Sequence, residues 1–151
     1  MKKKLSLLLI ILSFGFSFGQ NQEPEALVLQ TIKNIPSKPK EALQNLFKSN
    51  PTSYTNNKEN LDKFSDNLVK AIEVSGEYGS YEKLEEKAHS KKMVQYKYLM
   101  YYKQRPILLD ITMYSFGGKW MLYNMSYYMD FGLPKDDRPI NDKPKDDKPK
   151  E

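Results

Sequence analysis

Across 151 residues, 24 lysines and arginines face 19 aspartates and glutamates, a net charge of +5 with the single histidine neutral. There is no cysteine, and the chain carries 11 tyrosines. That length holds one domain; the lack of cysteine excludes disulfides, thiolate zinc sites, iron–sulfur clusters and a cysteine nucleophile, and a lone His89 excludes any site built on two imidazoles.

Residues 1–19 read as a signal peptide. Lys2, Lys3 and Lys4 precede an apolar run from Leu5 to Leu12, which Phe14-Gly15-Phe16 prolongs to the small-x-small triplet Ser17-Phe18-Gly19. The run is too short for the roughly 20 residues of a bilayer span, so no membrane span is expected after cleavage. The protein is expected to be exported, either periplasmic or secreted. Cleavage leaves 21 basic against 19 acidic residues. So small a surplus gives little counterion-release energy, and nucleic acid is not an expected partner.

The following segment, 20–133, reads as the folded domain. Leu27, Val28, Thr31, Ile32 and Ile35 share one helical stripe behind Pro24, and Pro36 ends it. Ser37 is the expected N-cap of a second helix, with Pro39 in its first turn and Ala42, Leu43, Leu46 and Phe47 on its apolar face. The polar stretch Thr52 to Lys58 is expected as a loop. Leu61, Phe64, Leu68, Ala71, Ile72 and Ser75 mark a third helix, which Gly76 closes.

Beyond Gly76 the period becomes two. A first strand is expected over about Tyr81 to Lys87, with a turn at Ala88 to Lys91. Val94, Tyr96, Tyr98, Met100 and Tyr102 alternate along a second. Ile107, Leu109, Ile111 and Met113 mark one face of a third, and Gly117-Gly118 a tight hairpin turn. In the last strand, Lys119 to Phe131, Trp120 and Leu122 are out of phase with Met125 and Tyr127; a bulge near Tyr123-Asn124 is the preferred reading, and a sheet covered on both sides is the alternative. The fold class is therefore α+β: three N-terminal helices packed on a curved, four-stranded antiparallel sheet. Residues 134–151 carry six basic residues, six acidic residues and four prolines. Having almost no apolar surface to offset ordering entropy, they are expected to form a disordered charged tail.

Several stretches carry a family resemblance: Gly76-Glu77-Tyr78-Gly79-Ser80-Tyr81-Glu82, Gln95-Tyr96-Lys97-Tyr98, Arg105-Pro106-Ile107-Leu108-Leu109, and Met113 through Gly117-Gly118-Lys119-Trp120 to Leu122. Together with the order of elements, they make the chain resemble the nuclear transport factor two-like (cystatin-like) superfamily, and within it short exported bacterial members without an assigned role. The resemblance implies a cone-like fold with a pocket between a helix and the concave sheet face. It does not imply one activity, because that superfamily hosts isomerases, dehydratases, transport factors and binding domains.

Ketosteroid isomerase, of the same superfamily, pairs an aspartate base with tyrosine and protonated aspartate donors. Asp110 is the candidate for such a base here, with Thr112 and Tyr114 on its face of the strand. Against it, Ile107, Leu109, Ile111 and Met113 form the more apolar face, which turns Asp110 toward water. His89 reads as an exposed turn residue, and Asp130, at the end of the last strand, also reads as a turn residue. The tyrosines read mainly as cross-strand packing, and Tyr96, Tyr98, Tyr114 and Trp120 are the candidate ligand contacts. No metal site or cofactor is expected. The expected function is a small non-enzymatic binding or interaction domain for an unidentified ligand or protein partner, as a monomer or weak homodimer. The alternative is a small-pocket isomerase or dehydratase with a carboxylate base.

Overall fold

The computed structural model describes residues 23–130. The expected signal peptide (1–19), the charged tail (134–151) and Phe131 of the expected last strand lie outside the described residues.

The chain forms helices first and a sheet second, as the change of period predicts. The helices are α1 (Pro24–Asn34), α2 (Pro39–Phe47), α3 (Pro51–Asn56) and α4 (Lys58–Ser75). The first three each begin with a proline, whose fixed φ suits the first turn and whose missing N–H would have no partner there. Two expectations need correction. Lys38, not Ser37, stands at the N-cap of α2, and Ser37 instead donates its hydroxyl back to the Asn34 carbonyl at 3.3 Å. The stretch expected as a loop contains α3, capped by Asn50, whose Oδ1 accepts from the Ser53 N–H at 3.2 Å. None of its residues is buried, so it has no apolar stripe for a periodicity argument to detect.

Gly76 ends α4 at φ 83°, a left-handed conformation that side chains resist. The strands β1 (Tyr78–Ser90), β2 (Met93–Tyr102), β3 (Ile107–Phe116) and β4 (Lys119–Tyr128) then pair in sequence order, all antiparallel. β1 is longer than expected: it includes His89, and the turn moves to Lys91-Lys92. Register shifts at Lys83/Glu85 and Ala88/Ser90 break its alternation, which is why its polar end did not read as strand. Gly117 and Gly118, at φ 59° and 77°, form the tight turn into β4. The expected bulge is present. Met113 pairs with Leu122 and Thr112 with Asn124, so Tyr123 is the extra residue.

One face of this sheet carries the helices. Tyr96, Tyr98 and Met100 of β2 and Ile107, Leu109, Ile111 and Met113 of β3 are at most 1% exposed. They meet Val28 and Ile32 of α1, Leu43, Leu46 and Phe47 of α2, and Leu68 of α4 in a single cluster. Neither layer could bury its apolar side alone. After the bulge, Met125 and Tyr127 pair with Ile111 and Leu109 and pack on this same cluster; without the inserted residue they would face the opposite side.

Candidate ligand-binding hollow

The bulge also shapes the seam where β4 meets the helices. Around Leu122 the strand is held by the α2–α3 connection. The Leu122 N–H donates to Ser49 Oγ at 3.0 Å, and its carbonyl accepts from Asn50 Nδ2 at 3.1 Å. Asn50 thus caps α3, grips the edge strand and lies 3.4 Å from the Tyr114 hydroxyl.

Next to this grip, a hollow of about 200 Å³ separates β4 from α3 and α4. Phe47, Leu61, Phe64, Leu122 and Met125 make its apolar walls, with Asn50, Ser53, Asn60, Tyr123 and Asn124 around them. Phe64 stands edge-on to Phe47, with ring centroids 6.0 Å apart, and is backed outside the lining by Tyr127 at 5.5 Å, so the two phenyl rings of the wall belong to one aromatic cluster. Asn50 is committed to its structural bonds. The side-chain amides of Asn60 and Asn124 are exposed and bond to no other described residue, which leaves two donor–acceptor pairs at the rim. No carboxylate, imidazole, ammonium or guanidinium is among the described residues that line the space. A second hollow, of about 40 Å³, lies between α1 and α2 beside Gln30, Asn34 and Asn45. It has room for little more than water.

Searches against protein-family models, characterised proteins and solved structures find no match to this chain.

The residues singled out from the sequence lie elsewhere. Tyr96 and Tyr98 are each 1% exposed beneath the helices. Burial pushes the Tyr96 hydroxyl up to about 12 and raises that of Tyr98. Trp120 is half-buried against the core cluster. Tyr114 lies on the opposite side of β3 from Met113, with its ring edge-on to Tyr123. The four do not converge on one space, and none lines the hollow.

Asp110 also occupies the helix-free face. Its register neighbours Lys97 and Ser126 share that side, and Gln95 Nε2 donates to both carboxylate oxygens at 2.7 and 2.8 Å. Gln95 Oε1 in turn lies 3.0 Å from His89 Nε2. Lys97, two residues along β2 on the same face, pairs with Glu85, an ion pair that raises the ammonium pKa and lowers that of the carboxyl. Asp110 is therefore one link in an ordered polar lattice across three strands. Among the described residues no group of three or more carboxylates and histidines is placed to hold a metal ion.

The hollow was not legible as a site because its walls come from α2, α3, α4 and β4, far apart in the chain. One signal was available: the bulge predicted at Tyr123-Asn124, since bulges occur where a strand end is re-aimed beside a site.

Proposed function

We propose that this chain is an exported binding domain whose ligand enters the hollow between β4 and helices α3 and α4, and that it does no covalent chemistry there. The observation that carries this reading is the lining itself: among the described residues, an aromatic and aliphatic wall, two uncommitted carboxamides at the rim, and no charged group. Such a space suits an uncharged, ring-bearing molecule of modest size, held by apolar contact and oriented by one or two hydrogen bonds. The reading agrees with the domain type that the strand pattern resembles, in which a helix and a sheet face enclose a pocket. A carboxylate-based isomerase or dehydratase is the weaker reading. A general base must come within hydrogen-bond reach of the proton that it takes, and Asp110 lies across the sheet, engaged by Gln95.

The test uses isotope-labelled protein and three uncharged probes: indole, cyclohexanol and methyl glucoside. At least one should shift the amide signals of Leu61, Phe64, Asn124 and Met125 in a saturable way, and Met125→Trp, which fills the space, should abolish the effect. Failure of all three probes, or shifts confined to the helix-free face near Tyr101 and Tyr128, would overturn the proposal.

A further inference from the structure

We propose that the end of the sheet carrying both hairpin turns is a docking surface for a bilayer with anionic headgroups. The two turns are Lys91-Lys92, between β1 and β2, and Gly117-Gly118, between β3 and β4. They lie at the same end because the Ser115 N–H donates to the Lys92 carbonyl at 2.8 Å. With strands about 4.8 Å apart, all four strand ends fall in a row about 15 Å wide.

Three observations converge on this row. Phe116, the last residue of β3, is 75% exposed, more than any other large hydrophobic residue among those described. It sits beside a glycine turn where an added Cβ at Gly117 would meet nothing within 4 Å, so the tip projects into open space. Lys91, Lys92 and Lys119 flank it, all exposed, and none forms an ion pair among the described residues.

Among the described residues, the surroundings also lack compensating negative charge. From Lys87 to Tyr128 the only carboxylate is Asp110, which is engaged by Gln95. The segment from Ala42 to Lys58, which grips β4 nearby, has none. The closest acidic residues on β1, Glu85 and Glu86, are each paired with a lysine. A protruding aromatic flanked by ammonium groups that are unpaired among the described residues is the two-part chemistry of reversible interfacial binding: the ring enters the acyl boundary and the cations meet the lipid phosphates. The surface lies apart from the hollow and does not depend on it.

The experiment is co-sedimentation with vesicles, using the chain from Gln20 onward, which keeps every described residue and lacks the apolar leader that would itself partition into lipid. Vesicles of phosphatidylglycerol mixed with phosphatidylcholine should bind it at low salt, and vesicles of phosphatidylcholine alone should not. Each lysine contributes about fivefold at an anionic surface, so the triple variant Lys91→Gln, Lys92→Gln, Lys119→Gln should lose about a hundredfold. Phe116→Ser should lose about tenfold, while Phe116→Trp should keep or strengthen binding. All four side chains are exposed, so the variants should melt with the parent. The proposal is overturned by absence of binding to the anionic vesicles, by equal binding to neutral ones, by failure of Phe116→Trp, or by loss in the lysine variant with none in Phe116→Ser. That last pattern would identify a site for any polyanion.

Discussion

Both faces of the sheet carry tyrosines, and those tyrosines have opposite fates. Tyr96, Tyr98 and Tyr102 of β2 lie under the helices, nearly inaccessible, whereas Tyr101 of the same strand and Tyr128 of β4 are 40% and 46% exposed. Sheet propensity is identical for all five, so what separates them is parity along the strand. The covered face gains its stability by excluding water. The open face is organised by directional bonds instead: Gln95 to Asp110, Lys97 to Glu85, and the Tyr101 hydroxyl donating to Glu82 at 2.9 Å. Exposed pairs of this kind contribute little to stability. The helix side therefore holds the fold, and the open side is free to vary.

Adjacent leucines in β3 test that contrast most sharply. Leu109 is fully buried, and its neighbour Leu108 faces the other way. Leu109→Ala should cost about 2–5 kcal/mol in urea unfolding, and Leu108→Ala under about 1 kcal/mol. Similar losses at both positions would mean that the open face is covered in solution.

Alkaline pH should weaken the covered face through its buried tyrosines. Burial pushes the hydroxyls of Tyr96 and Tyr102 up to about 12, against an ordinary value of about 10. Between these limits the unfolded chain releases protons that the folded chain keeps, so stability is intact below about pH 10 and falls as pH rises toward 12. The slope should be about 1 kcal/mol per pH unit for each tyrosine. Chemical denaturation across that range should show it, and Tyr96→Phe should flatten it.

Asn50→Ala tests how the faces meet at the β4 edge. It removes the cap of α3 and leaves the Leu122 carbonyl without its partner, at an expected cost of about 2 kcal/mol. Asn50→Asp, which can keep the cap but cannot donate to that carbonyl, should recover only part. The smallest effect is expected at Tyr102, whose buried hydroxyl has no partner among the described residues. Tyr102→Phe should leave stability unchanged or raise it by about 1 kcal/mol in thermal unfolding.

Much of this architecture can be read from the residues themselves. Alternation in β2 and β3 identifies the covered face, Gly76 and Gly117-Gly118 mark where φ must turn positive, and the phase conflict between Leu122 and Met125 locates the bulge. What escapes is structure held by polar contacts. Helix α3 depends on Asn50 and Pro51 and buries no residue, so it leaves no apolar stripe. The far end of β1 is charged and interrupted by register shifts, so its alternation is lost. The hollow is a property of four elements at once, and no local pattern along the chain encodes it.

The grip of Ser49 and Asn50 on Leu122 has a further consequence, for self-assembly. A foreign strand seeking to lengthen the sheet, as in a fibril, must recruit successive main-chain groups without interruption. Midway along β4 it would find one amide and one carbonyl already occupied by the protein's own side chains, and its growth would stop there.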